Sequence, residues 1–143
     1  MKKALTICLF GSILALISCG QSAHKGKHGE GSVADTGKAV IVFNSYEHDF
    51  GQVKEGEKVA CIFTFTNTGT SDLVVNSAVA SCGCTVPKYS GKPVAPGKTG
   101  SIEVKFDTTD RSGKQTKTIT VKSNATTPVV LLKIVTEVIN SNN

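Results

Sequence analysis

"EKVACIFTFTNTG", residues 57–69, decides how the chain should fold. Val59, Cys61, Phe63 and Phe65 recur at every second position, while Lys58, Ala60, Thr64 and Thr66 fall mainly between them. A repeat of two is the period of a β-strand, whose successive side chains point to opposite faces, so this stretch predicts a strand with one face in a core. It ends in Asn67-Thr68-Gly69-Thr70, residue types that favour a turn.

Outward from that strand the same grammar repeats. "AVIVF" (39–43) is a short apolar run before it, and "DLVVNSAVA" (72–80) follows the turn. Pro96-Gly97 marks another turn, after which "GSIEVKFDT" (100–108) sends Ile102, Val104 and Phe106 inward and Glu103 and Lys105 outward. "KQTKTITVKSN" (114–124) supplies Ile119 and Val121. In "TPVVLLKIVTEVI" (127–139) Val130, Leu132, Ile134 and Val138 read as core. No stretch has helical periodicity. The expected fold is all-β: an Ig-like antiparallel β-sandwich of about seven strands over residues 39–140, with a tail at 141–143. An antibody-type core, with a tryptophan packed on an inter-sheet disulfide, is excluded, because there is no Trp and Cys82 and Cys84 are too close in sequence to bridge two sheets.

The 143 residues suit one such domain. Six Phe, two Tyr and no Trp leave most of the core to aliphatic side chains. The net charge of +5 falls to about +3 without Lys2 and Lys3, and the remaining lysines are scattered, which does not suggest nucleic-acid binding. Lys2 and Lys3 open a secretory signal: an apolar run from Ala4 to Ile17 follows, ended by Ser18, Cys19 and Gly20. The run is shorter than the about twenty residues of a membrane-spanning helix. Leu16-Ile17-Ser18-Cys19 resembles a bacterial lipobox, which implies cleavage after residue 18, diacylglyceryl transfer to the Cys19 sulfur and palmitate-type acylation of its new amino group. Each buried acyl methylene contributes about 0.8 kcal/mol, so two or more chains hold firmly. The expected location is the bacterial cell envelope, lipid-anchored, at the outer membrane or the periplasmic face. Residues 19–38 then form a Gly-rich tether spanning roughly 20–25 Å as a coil. Its glycines argue against the helix that would align His24 and His28 as metal ligands.

Four motifs stand in order along the domain: His48-Asp49-Phe50-Gly51, Phe65-Thr66-Asn67-Thr68-Gly69, Ser81-Cys82-Gly83-Cys84-Thr85, and Pro96-Gly97 before the "IEVKF" strand. In these the chain resembles, over residues 40–139, a bacterial domain-of-unknown-function family, number 1573, found in exported lipoproteins and related to the Ig-like ASH and major-sperm-protein folds. The resemblance implies fold and export. It implies no activity.

The cysteines carry the remaining chemistry. Cys8 leaves with the signal, and Cys61, between Val59 and Phe63, reads as a small buried hydrophobe, a disulfide to the Cys82/Cys84 pair being the lesser possibility. Cys82 and Cys84 leave three possibilities open. In an extended strand their Cα atoms would stand about 6.6–6.8 Å apart, whereas a disulfide prefers about 5.5–6 Å. A bond therefore requires the chain to turn at Gly83, the residue that takes positive φ at least cost, and would be labile. Two reduced thiols could instead hold a soft ion, Cu(I) above all, with His48 as a possible third ligand. The third possibility is a tight turn with packed sulfurs. His48-Asp49 and Ser81 do not make a hydrolytic triad by adjacency. Asn124-Ala125-Thr126 fits an N-glycan acceptor but reads better as a turn. Asp107-Thr108-Thr109 resembles a short bacterial O-glycan acceptor at Thr108, at a strand end expected to be exposed. No cofactor is expected, and an enzyme less than a binding protein. The favoured function is a membrane-anchored interaction module that presents a sheet face or edge to an envelope protein or glycan. The alternative is a thiol-active or copper-handling envelope protein, with Lys88 lowering a thiol pKa.

Overall fold

A computed structural model describes residues 37–140. The signal peptide (1–18), Cys19, the tether as far as residue 36, with His24 and His28, and the tail at 141–143 lie outside the described residues. Eight strands follow one another: β1 (Ile41–Phe43), β2 (Glu47–Lys54), β3 (Lys58–Asn67), β4 (Val75–Ala80), β5 (Thr85–Tyr89), β6 (Thr99–Asp107), β7 (Gly113–Ser123) and β8 (Val129–Ile139). They form two four-stranded sheets, ordered β1-β3-β6-β5 and β2-β8-β7-β4. The fold is the expected Ig-like sandwich, with one difference in direction: every pairing is antiparallel except β2 with β8, which is parallel. After β1 the chain has only Asn44, Ser45 and Tyr46 before β2, and it passes to the other sheet instead of returning as a hairpin. Tyr46 stacks edge-on against Phe43 at 5.7 Å, and its carbonyl accepts from Lys133 N at 2.8 Å.

The alternation in residues 57–69 does what its period dictates. Cys61, Phe63 and Phe65 are buried on the inner face of β3. Ile102, Val104 and Phe106 on β6 lie beside them, facing Ile119 and Val121 on β7 and Leu132 and Ile134 on β8, all at most 1% exposed. Side chains of this size contribute about 1.5–3 kcal/mol each on full burial, so this double layer is the main source of stability. Gly100 pairs with Phe65 across β3 and β6, and a Cβ there would run into the Phe65 ring, so the ring covers the gap the glycine leaves.

Two strands carry no readable alternation. β5, "TVPKY", has Pro87, which cannot donate to a ladder, and it sits at a sheet edge where that costs least. In β2, "EHDFGQVK", only Val53 is buried, because this edge strand is bulged between Asp49 and Gln52. Gly51 takes φ 67° in the bulge, with its N–H donating to Asp49 Oδ1 at 2.8 Å and its carbonyl accepting from Thr136 Oγ1 at 2.7 Å. The His-Asp-Phe-Gly motif is thus a backbone device.

Asn67 has the same character. It is completely buried at the end of β3. Its Oδ1 accepts from Val40 N (3.3 Å) and Gly69 N (3.0 Å), and its Nδ2 donates to the carbonyls of Ser71 and Val94 (2.8 Å each). All four bonding positions of the amide are filled, and three separate segments are tied together. A Cβ on Gly69 would collide with the backbone of Lys38, Ala39 and Val40, so glycine is required where the N-terminal segment crosses the turn.

Candidate functional site

The Ser81–Thr85 stretch connects β4, at the edge of one sheet, to β5, at the edge of the other. Ser81 closes β4: its N–H donates to Thr118 O at 2.9 Å, and its Oγ accepts from Thr118 N at 3.2 Å. The chain then turns tightly, Thr85 N donating to Cys82 O at 3.2 Å, and Cys84 O joins β6 by accepting from Asp107 N at 3.0 Å. This turn brings the Cα atoms of Cys82 and Cys84 to 5.4 Å, and the two sulfurs are bonded. Gly83 achieves it without positive φ: among the described glycines that conformation falls to Gly51, Gly56, Gly97 and Gly113. Outside its two chain neighbours nothing lies within 4 Å of where its Cβ would be, so neither backbone conformation nor crowding requires glycine here.

Both cysteines are half-buried, and Thr85 beneath them is buried. Its hydroxyl lies 3.6 Å from Cys82 Sγ and 3.9 Å from Cys84 Sγ. Disulfide sulfurs carry no hydrogen, so the threonine is the donor. Cys84 and Gly83 also border a groove of about 570 Å³ between β3, β6 and β5, whose walls include Ala60, Val86 and Phe106. Lys58 and Lys105 stand at its rim, each next to a carboxylate: Lys58 Nζ is 3.2 Å from Asp107 and Lys105 Nζ is 3.3 Å from Glu103. Asp107 is held down at about 2 by the Thr109 hydroxyl and then by the Thr109 amide, with Lys58 adding to both. These two lysines, and not Lys88, are the cations bordering the groove.

The other sequence candidates are dispersed. His48 lies on β2 and packs edge-on against Phe50, with ring centroids 4.5 Å apart. It is level with Lys117 through Ile134, and Thr118 bonds to Ser81, so His48 and the cysteine loop sit on opposite edges of one sheet. Three strand spacings separate them, about 14 Å, too far for shared coordination or for a triad with Ser81. Among the described residues no group of three or more His, Cys, Asp or Glu is placed to hold a metal. Cys61 is unbonded and buried, and desolvation raises its thiol to about 11. Asn124 makes a turn clamp, its Oδ1 accepting from Val74 N and its Nδ2 donating to Asp72 O.

Thr108 does not stand exposed at its strand end, as an O-glycan acceptor would: it is 0% exposed. Its hydroxyl is shared between the carbonyls of Lys54 (2.9 Å) and Glu57 (2.8 Å), where it closes the β2–β3 turn onto β6. A residue at the end of a strand is exposed only if no other turn folds over it, and here one does. The groove and the Thr85 hydroxyl were missed from sequence, since neither has a local signature beyond the threonine following Cys84.

No curated protein matches the chain in sequence. Solved structures share its fold. A protein of unknown function from Porphyromonas gingivalis is 18% identical, over 69% of this chain and 46% of that one, with a TM-score of 0.60. The ASH/PapD-like domain 7 of human CEP192 is 10% identical over 73% of this chain and 89% of that one, at 0.59. The secreted serine protease VesC from Vibrio cholerae is 17% identical over 69% of this chain and 23% of that one, at 0.55. The chain spans less than half the length of the Porphyromonas and Vibrio proteins. At such identities the likeness is one of fold alone. Residues 41–138, which contain all eight strands save the last residue of β8, match the sequence model described as protein of unknown function (DUF1573), and the chain belongs to that family.

Proposed function

We propose that the chain is an exported lipoprotein, held in the bacterial envelope by lipid on Cys19, whose sandwich docks another envelope protein on the outer face of the β1-β3-β6-β5 sheet. The observation that carries this reading is the exposed aliphatic surface beside the groove. Ile62 is 68% exposed and Val86 58%, on a face that also carries Ala60 and runs into the depression at Cys84. Apolar surface with an adjoining pocket is where an anchoring side chain of a partner gains most. The opposite face also exposes Val79, Leu131 and Val129, of which Val79 lines a smaller groove of about 320 Å³ at β4.

A face is favoured over strand addition because each edge is blunted. β1 has three residues, β2 is bulged, β5 contains Pro87, and β4 is bulged after Val75 with its Asn76 carbonyl taken by Tyr89 Oη. A protein is favoured over a glycan because no aromatic ring lies on the docking face to stack against a sugar; Tyr46, at the β1–β2 turn, is the exposed aromatic among the described residues. The half-exposed disulfide supports the second reading, a thiol-active protein. Copper handling would require both thiols reduced.

The test uses the full-length chain in bacterial envelopes, with a photo-crosslinking residue at position 62 or, as control, at the exposed position 116 on the other sheet. The expected result is one discrete protein adduct from position 62 and none from 116. Equal labelling from both, or a glycan adduct, overturns the docking reading. Cys19→Ala should release the protein from the membrane pellet, and its retention there would defeat the anchor.

A further inference from the structure

We propose that the Cys82–Cys84 disulfide is an exchange site for protein thiols: a cysteine thiolate on an apolar segment enters the groove, attacks Cys84 Sγ and displaces Cys82 as a thiolate. This rests on the thiol-active reading and deepens it; it does not depend on face docking, since a free peptide can react with no anchor and no partner.

The two sulfurs are not equivalent. Cys84 borders the groove and Cys82 does not. Substitution at sulfur runs in line with the S–S bond, so a nucleophile arriving at Cys84 from the groove expels Cys82. The leaving sulfur has a donor beside it: the buried Thr85 hydroxyl lies 3.6 Å from Cys82 Sγ, and 3.9 Å from Cys84 Sγ. A hydroxyl donated to a departing thiolate lowers its basicity and speeds exchange. Gly83 also borders the groove and adds no side chain to it. Selectivity comes from the walls. Lys58 and Lys105 each have a carboxylate neighbour, so local charge is nearly balanced, and the exposed Val86 and Ala60 favour a cysteine with apolar flanks.

The step balances without an added reagent. The incoming thiolate forms one S–S bond with Cys84 as the Cys82–Cys84 bond breaks, and the electron pair of the broken bond stays on Cys82. A second thiolate on the same substrate can then attack the substrate's own sulfur in the mixed disulfide and release Cys84. The substrate dithiol is thereby oxidised by two electrons, and the domain disulfide is reduced to two thiols. One domain oxidises one dithiol.

The test treats the full-length chain in detergent with two single-cysteine tripeptides, acetyl-Leu-Cys-Leu-amide and acetyl-Glu-Cys-Glu-amide. Reaction is quenched with a maleimide, and the adducts are located by peptide mass spectrometry. The expected outcome is tripeptide on Cys84 and maleimide on Cys82, with the leucine probe about ten-fold faster. Val86→Glu, on the exposed rim, should remove that preference. Thr85→Val should slow both probes about ten-fold, the effect of one hydrogen bond to a charged group. Tripeptide on Cys82, equal yields on both sulfurs, or no adduct where dithiothreitol reduces the bond would each overturn the proposal. So would a leucine preference that survives Val86→Glu.

Discussion

Replacing Asn67 by alanine should cost more than any surface change of similar size. The side chain is wholly buried, and its four hydrogen bonds serve Val40 N, Gly69 N, Ser71 O and Val94 O. The Val94 carbonyl keeps a second donor, Leu73 N at 3.0 Å, so three backbone groups lose their partner in the variant. An unsatisfied buried group costs about 1–3 kcal/mol. Some water can reach these partly buried positions, which puts the loss at about 3–5 kcal/mol, out of the about 5–15 kcal/mol that holds a domain folded. Urea unfolding followed by far-ultraviolet circular dichroism reads this directly. Asn67→Asp sharpens the argument, because it places a carboxylate oxygen where Nδ2 now faces two carbonyls at 2.8 Å. Only the protonated acid can donate there, so the aspartic acid's pKa in the folded variant lies above its unfolded value of about 3.9. Stability is then present below that unfolded value and is lost as pH rises through the folded one. The deficit relative to the parent should be larger at pH 7 than at pH 3. A loss below about 1 kcal/mol for alanine, or an aspartate deficit independent of pH, would refute the claim that this amide ties the segments together.

Phe63→Ala empties a site that is 3% exposed between the sheets and should cost about 3–5 kcal/mol by the same unfolding assay; a change under about 1 kcal/mol would mean the β3 inner face is wrongly assigned. Cys61, with its thiol raised to about 11 by burial, should stay protonated and resist iodoacetamide at pH 8 in the native protein, then react on unfolding in urea. Peptide mass spectrometry checks this, and rapid native labelling of the Cys61 peptide would contradict the burial.

The sequence by itself determined the sandwich and its inner faces. Strands such as β3, β6 and β8 bury alternate residues, and a period of two is a local property that needs no knowledge of neighbours. It also marked Cys61 as core, because that residue sits in phase with Val59 and Phe63. β2 and β5 escaped because an edge strand buries little, and a bulge at Gly51 or a proline at 87 erases the remaining rhythm. The parallel β2–β8 pairing, the burial of Thr108 under the β2–β3 turn and the distance between His48 and the cysteine loop were decided by the tertiary structure. Each depends on which distant segment lies alongside, and residue spacing holds no record of that. The same holds for the site. "SCGCT" announced two sulfurs within reach of one turn, but only the pairing of β5 with β6 put Cys84, and not Cys82, on a groove with the Thr85 hydroxyl beside both, because the two sulfurs become unequal only when different neighbours surround them.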